Sequence, residues 1–494
     1  MPGIVLATLN ARYLHASLGL RYLYANLEEL RSRCALREFT LESWPIDIAE
    51  QLLAERPQII GLGVYIWNIE PSTRLVALIK RISPQTKVII GGPEVSHEWQ
   101  GRAIFEAADY LLTGAADLSF AALCRRLLAE DPPPQKVIHS PPVALERIAS
   151  PYRHYSDEDI AHRLIYVEAS RGCPFRCEFC LSALDKTARS FHLPAFLAEM
   201  DRLLQRGARH FKFVDRTFNL KTEQSGAILD FFLQRMTPEL FLHFEVVPDR
   251  LPAALRERLR LFPPGSLQLE IGIQTFNPEV AARIDRRQNF ASSEANLRWL
   301  RAQTGAHIHA DLIAGLPGED LQSFAAGFDR LVVLAPHEIQ VGILKRLPGT
   351  PIARHSESCA MRYNPDPPYN ILSSAQIDFA TMQRLTRFAR YWDLIGNSGR
   401  FGETLPLLLG GRPFERFMSF SDWLYAETGQ LHRFALKRLF ELLQRGMVER
   451  LDAAPDECAR VLAADFRRSG LKGATDTLRQ RVAADNRRSR QSRH

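Results

Sequence analysis

Three cysteines, Cys173, Cys177 and Cys180, stand within eight residues of one another in the segment SRGCPFRCEFCLSA, spaced C-x3-C-x2-C. Thiolates are the usual ligands of iron-sulfur clusters, and a cubane of four irons normally takes four of them. This loop offers three, so one iron stays open to an outside chelator such as the amine and carboxylate of an amino acid. A structural zinc site is the alternative, and it wants four protein ligands, commonly from two C-x2-C pairs or from added histidines. The chain has no second pair, and the nearest histidine, His192, lies twelve residues past Cys180. The remaining cysteines, Cys34, Cys124, Cys359 and Cys458, are isolated, which excludes a secreted disulfide framework.

The loop follows directly on an apolar strand, LIYVEAS, the first of a series with HFKFVD, LHFEVV, LQLEIGIQ, HIHADLIAGLP and EIQVGILKRLP, separated by helical patterns. Six such strands suit an open barrel over residues 161–355, and barrel active sites assemble at the carboxyl ends of the strands. Before it, IVLATL, IIGLGVYI, KVIIGG and ADYLLTG alternate with amphipathic stretches and read as near-continuous apolar strands. That pattern predicts a parallel, Rossmann-like sheet covered on both faces, over residues 1–130. Prolines in DPPPQKVIHSPPV and SPYRHYSDED place a linker at 131–160. Apolar residues at helical spacing then predict a mostly helical domain over 356–478, whose aromatics Phe388, Tyr391, Trp392, Phe401, Phe414, Phe417 and Trp423 read as core. The fold class is α/β with a helical carboxy-terminal domain.

The chain has 494 residues and a formal net charge of +7, with no run long enough to span a bilayer and no charged-then-apolar leader, which reads as a cytoplasmic protein. Much of the charge lies in the arginine-rich stretch 479–494, read as a solvated tail. No aromatic residue accompanies those arginines, which argues against a nucleic-acid arm.

The cysteine spacing, with aromatic Phe179 before the last cysteine, resembles the radical S-adenosylmethionine (SAM) superfamily over roughly residues 160–355. The resemblance implies a 4Fe-4S cluster on Cys173, Cys177 and Cys180, with S-adenosyl-L-methionine cleaved to a 5′-deoxyadenosyl radical, and a reductant such as flavodoxin or ferredoxin as partner. It implies SAM contacts from Phe179, from Asp215 in FVDRTFN, from Glu270 or Gln274 in LEIGIQTFNPEV, from Asp311 and Ile313 in HADLIAGLPGE, and from Leu347 in RLPGTPI. For Asp215, Asn219 and Asp311, helix capping is the other reading. Gly315 and Gly318 read as turn glycines.

Joined to such a barrel, the first segment resembles the cobalamin-binding domain of B12-dependent radical SAM proteins through LNARYLHASLGLRYLYANL, VYIWN, KVIIGGPEVS and ADYLLTGAADLSF. The cobalamin contacts implied are Gly91, Gly92 and Gly114, with Tyr65, Ile66 and Trp67 completing the wall. Around His15 the order YLHASLG departs from the aspartate-x-histidine-x-x-glycine motif of B12 proteins that ligate cobalt through histidine, so His15 is not expected as lower ligand. Asp117 in GAADLSF stands where the family often has glutamate. Together these features imply methyl transfer or cyclisation on a substrate the sequence does not name. The competing readings are a radical SAM enzyme without cobalamin, an RNA methylthiotransferase-like enzyme and a non-catalytic iron-sulfur sensor.

Overall fold

The computed structural model describes residues 3–471. The arginine-rich tail at 479–494 lies outside them.

The amino-terminal sheet is parallel throughout and contains β1 (Ile4–Asn10), β2 (Cys34–Thr40), β3 (Ile59–Gly63), β4 (Lys87–Gly91), β5 (Tyr110–Thr113) and β6 (Val137–His139), in the order β2-β1-β3-β4-β5-β6. Every residue of β1 is buried, as a central strand covered on both faces must be. The chain leaves β1 to one side for β2 and returns to the other for β3. This reversal opens a crevice at the strand ends, where such sheets bind ligands. Two strands go beyond the sequence expectation. The edge strand β2, CALREFT, is half-buried except at exposed Arg37, and Arg37 and Glu38 interrupt its apolar residues. The other edge strand, β6, lies inside the proline-containing stretch read as linker, so the sheet extends past residue 130 to His139.

β7 (Ile165–Val167) leads into a two-stranded ribbon, β8 (Ser170–Arg171) with β9 (Arg189–Ser190), that frames the cysteine loop. β10 (His210–Phe213), β11 (Phe241–Val246), β12 (Leu267–Gln274), β13 (His307–Ala314) and β14 (Glu338–Ile343) complete a parallel open barrel in the order β14-β13-β12-β11-β10-β7. All six strands fall where the pattern placed them. In β12 and β13 fully buried residues alternate strictly with partly buried ones. Strand side chains alternate between faces. The apolar set, including Leu269, Ile271, Ile308 and Ala310, meets the outer helices, and the polar set faces the lumen.

Beyond the barrel a short antiparallel ribbon, β15 (Arg362–Tyr363) with β16 (Ile371–Ser373), precedes the helices Phe379–Ile395, Thr404–Leu409, Pro413–Thr428, Leu436–Leu451 and Pro455–Arg468, in keeping with the helical pattern of this region. Their aromatics form a core continuous with that of the barrel: Phe328 of the barrel's last helix stands 4.8 Å from Trp392 between ring centroids, and Phe388 stands 5.0 Å from Phe417. The edge of β14 is covered by a side chain. Asn397 Oδ1 accepts the Ile339 N–H at 3.0 Å, and its amide donates to the Ile339 carbonyl at 3.0 Å.

Polar and charged contacts fix the first domain to the linker, the barrel and the ribbon beyond it. Arg21, 2% exposed, bonds Glu38 at 2.9 Å and Asp159 at 2.6 Å, and Arg163 reaches Glu38 at 3.1 Å. Asp117 pairs with Arg171 at 2.9 Å, Glu98 with Arg346 at 2.9 Å, and Tyr369 donates to Glu94 at 2.5 Å. No helix among the described residues is long and apolar enough to cross a membrane.

Candidate functional site

The cysteine loop leaves β7 at its carboxyl end and is anchored at several points. Gly172, with φ of +90°, passes so close to the Thr187 carbonyl that any Cβ would overlap it. The Cys173 N–H donates to the Asp185 carbonyl at 2.9 Å, and the Glu178 N–H to the Ile284 carbonyl at 3.1 Å. The Glu178 side chain points away from the cysteines. It is buried, accepts from His355 at 2.7 Å and pairs with Arg354. Cys173 and Cys177 are buried and Cys180 half-buried, and all three line one cavity.

Burial pushes the Cys173 and Cys177 thiols above the usual range, while Arg286, with Nη1 3.3 Å from Cys177 Sγ, favours the thiolate. Among the described residues no three His, Cys, Asp or Glu side chains close on a single ion. Cubane ligands stand on separate irons and need no common point, whereas a tetrahedral zinc does. Three thiols around a shared cavity without a fourth protein ligand fit a cluster with one open iron.

Phe179, Glu270, Gln274 and Asp311 line the same cavity, together with Arg216, Glu245 and Arg286. Gln274, at φ +71°, has a buried Oε1 without a hydrogen-bond partner, an acceptor waiting for a donor. Burial works to raise Glu270, but the His243 hydrogen bond at 3.0 Å and Lys212 outweigh it and hold the carboxyl down to about 2. Burial raises Asp311. These acceptors and the Arg286 guanidinium suit a ligand that carries ammonium, hydroxyl and carboxylate groups, as S-adenosylmethionine does.

The other residues expected here stand elsewhere. Asp215 is 2% exposed and faces away from the cavity. Its carboxylate accepts the Ala169 N–H at 2.9 Å and the Ser170 hydroxyl at 2.5 Å, so it shapes the entry to the cysteine loop and neither contacts the cavity nor caps a helix. Asn219 bonds the backbone of the neighbouring Val247–Arg250 turn, with its Oδ1 2.7 Å from the Val247 nitrogen. Ile313 shares the lumen face of β13 with Asp311 but lies outside the cavity lining. Leu347 belongs to a turn whose carbonyl accepts from Thr350, and that turn docks on Glu98 of the first domain. Gly315 and Gly318, both at positive φ, are turn glycines as read.

A second cavity, of about 610 Å3, lies between the domains. Its first-domain wall is glycine-rich: Gly61, Gly63, Gly91, Gly92 and Gly114, with Tyr65, Asp117 and Phe120. Gly92 has φ of +114°, and a Cβ there would overlap the Val64 carbonyl oxygen, so the backbone at this rim has no room for a side chain. A bare, concave glycine wall of this kind fits a large flat ring such as a corrin. Ile66 and Trp67 lie outside the lining. Trp67 stacks on Tyr65, ring centroids 4.5 Å apart, and its indole N–H donates to the Leu9 carbonyl. His15 does not line this cavity. It bonds the Tyr166 hydroxyl through Nδ1 at 2.7 Å, across the domain seam, and the helix cap is Ser17.

Arg216 lines both cavities and was not singled out from the sequence. Half of its side-chain surface is free, and Nη1 bonds Glu245 at 2.7 Å. Arg286 was also missed, because nothing in RIDRRQN separates it from a surface arginine. The Asp117–Arg171–Glu168 chain, at 2.9 Å for each link, ties the first domain to the residues just before the cysteines.

With this geometry in place, comparison with known proteins defines the class. Residues 4–124 match the B12 binding domain and residues 167–331 the Radical SAM superfamily; residues 357–493 match a family described as Protein of unknown function (DUF4080). The chain thus combines a B12-binding domain with a radical SAM domain.

Among individual proteins it is similar to the cobalamin-dependent radical SAM methyltransferase TokK of Streptomyces tokunonensis, with 23% identity over 334 residues, 60% of this chain and 48% of that protein. The match therefore spans about half of that relative's length. Among solved structures, the cobalamin-dependent S-adenosylmethionine radical enzyme OxsB with aqua-cobalamin bound gives a TM-score of 0.66 at 14% identity, covering 97% of this chain and 83% of that one. The radical SAM methyltransferase TsrM from Kitasatospora setae, with cobalamin and a 4Fe-4S cluster bound, gives 0.61 at 16% identity, covering 95% and 100%. At these identities the likeness to both is one of fold.

Proposed function

We propose that the protein is a cobalamin-dependent radical SAM enzyme that methylates or cyclises an organic substrate at an unactivated carbon. One observation carries this reading: the cavity lined by the three cysteines and the glycine-walled cavity between the domains both include Arg216 in their walls. A substrate at that junction would face both cofactors. When bound, the cluster supplies the electron that cleaves S-adenosylmethionine to methionine and a 5′-deoxyadenosyl radical, and cobalamin supplies a transferable methyl group or an electron sink.

The chain's own residues bind, orient and exclude water. Cys173, Cys177 and Cys180 would hold the cluster. Arg286 would take the methionine carboxylate, its planar fork matching that group. Gln274 would accept from the ammonium or ribose hydroxyls, and Asp311 would face the sulfonium. Gly91, Gly92 and Gly114 would pass under the corrin, with Tyr65 as its wall. Arg216 is oriented by Glu245 and presents its remaining donors to the junction. The pairing of Asp117 with Arg171 keeps the two cavities in register.

The RNA methylthiotransferase-like reading needs a further cluster in the first domain. The cysteines there, Cys34 and Cys124, are two in number and pack in the apolar layer on one face of the sheet, a poor setting for cluster ligands.

The test is anaerobic purification with cobalamin supplied, for wild type and for a Cys173→Ala, Cys177→Ala, Cys180→Ala variant. Iron, sulfide, cobalt and the formation of 5′-deoxyadenosine and S-adenosylhomocysteine are measured. We expect near-stoichiometric cobalt in both proteins, and a cluster and 5′-deoxyadenosine only in the wild type. A cluster without cobalt would leave a plain radical SAM enzyme. A cluster and cobalt without 5′-deoxyadenosine under reducing conditions would favour the non-catalytic sensor.

A further inference from the structure

Below the cysteine-lined cavity the barrel lumen holds charged groups that no cofactor contact explains. Glu270 and Asp311 face the cavity from β12 and β13. Behind Asp311 lies a row of side chains that descends the lumen. His309 Nε2 stands at ion-pair distance, 3.1 Å, from Asp311 Oδ1, which has no hydrogen-bond partner, and bonds Gln340 Oε1 at 3.2 Å. His309 Nδ1 is 3.1 Å from Glu338 Oε2, and His307 Nε2 bonds the other Glu338 oxygen at 3.0 Å. The ring of His309 therefore has an acceptor at each nitrogen, the arrangement that stabilises imidazolium.

We infer that His309, clamped between Asp311 and Glu338, is a positioning residue that keeps Asp311 an anion facing the cavity, and that the cavity thereby selects a cationic ligand over its neutral counterpart. The inference rests on S-adenosylmethionine being the cavity's ligand, and it concerns how its sulfonium is told from the neutral thioether of S-adenosylhomocysteine. Buried without a cation, a carboxyl this deep would take up a proton. Burial does raise Asp311, while His309 opposes that rise. His309 itself is held at about 10, since Asp311 and Glu338 outweigh its desolvation.

The other charges around this pair are accounted for. Glu270, bonded to His243 and paired with Lys212, is the anion that works against the charge on Asp311. Arg286 stands by Cys177 and attracts Asp311 weakly. From β14, Gln340 is neutral and Glu338 is bonded by both histidines. His309 is thus the cation in direct contact with Asp311.

The test is equilibrium dialysis of the cluster-reconstituted protein with S-adenosylmethionine and with S-adenosylhomocysteine between pH 6 and 8.5. Wild type should bind S-adenosylmethionine with affinity flat across this range, because His309 keeps its proton throughout. In His309→Gln, affinity should fall as pH is lowered, by up to about ten-fold per unit. Affinity for the neutral S-adenosylhomocysteine should stay flat in both proteins. Asp311→Asn should bind S-adenosylmethionine weakly at every pH.

A His309→Gln variant that loses affinity equally at all pH values, or for both ligands alike, would overturn the inference and make His309 merely structural. If His309→Gln does not fold, wild type still decides: a ten-fold loss of affinity from pH 8.5 to 6 would mean that Asp311 titrates unprotected. Wild type that binds neither ligand would instead overturn the reading of the cavity on which the inference depends.

Discussion

Glu319 sits in the turn after β13, 2% exposed, accepting from Thr275 at 2.6 Å while its second carboxylate oxygen has no hydrogen-bond partner. Burial lifts its pKa to about 7 from the ordinary 4.5. Because the folded value lies above the unfolded one, this group favours folding fully below pH 4.5. That contribution fades as pH rises and is lost above about 7. Glu319→Gln keeps the acceptor for Thr275 and removes the charge, so it should raise Tm at pH 8 and lose this advantage toward pH 5, as differential scanning calorimetry at the two pH values would show. The size at pH 8 is on the order of 3 kcal/mol. At the same scale, one misassignment was avoidable. Along HFKFVDR the buried phenylalanines Phe211 and Phe213 mark the outer face, so alternation puts Asp215 outside with them and Lys212 and Arg216 in the lumen. The same parity puts Glu270 and Gln274 together on the lumen face of β12, and both line the cavity. Arg286 was not legible by any such rule, because its place depends on how the helix after β12 packs over the cysteine loop.

Strands fully buried on both faces, such as β1, β3 and β4, were legible as apolar runs. The barrel strands were legible from alternation and turn residues. Edge strands were not: β2 carries Arg37 and Glu38 within seven residues, and β6 is three residues long among prolines. Edges are where sheets tolerate polar residues and proline, so composition there resembles loop. The edge at β14 illustrates the same economy. Asn397 supplies one donor and one acceptor to Ile339, standing in for a neighbouring strand at a single residue. Asn397→Ala should leave that N–H and carbonyl unpaired beneath the carboxy-terminal helices, at a cost of about 1–3 kcal/mol. Amide exchange at Ile339 should quicken while that of β12 stays unchanged. Equal protection in variant and wild type would mean that water replaces the side chain without loss.

At the scale of the molecule, the seam between the domains combines apolar contacts, such as Ala16 against the barrel core and Tyr22 on Phe191, with a set of mostly buried charge pairs. Such pairs cost desolvation when they form, and losing one partner leaves the other charge stranded. They specify one relative placement of the domains, which is what two cavities sharing Arg216 require. Asp117→Ala strands Arg171 against Glu168 alone and removes the tie to the cysteine loop. We expect iron content near wild type, cobalt retention after gel filtration reduced several-fold, and slower 5′-deoxyadenosine formation. Unchanged cobalt would assign the pair to folding alone. The stack of Trp67 on Tyr65 has a separate consequence. Tyr65 lines the inter-domain cavity, and Trp67 is 45% exposed on its far side. A corrin absorbs where indole emits, so a tetrapyrrole-like ring settling against Tyr65 would quench Trp67 by energy transfer. A fluorophore thus stands one ring behind the cavity wall, and the part of the tryptophan dimming that Trp67→Phe abolishes would report filling in real time, without labels and under strictly anaerobic conditions.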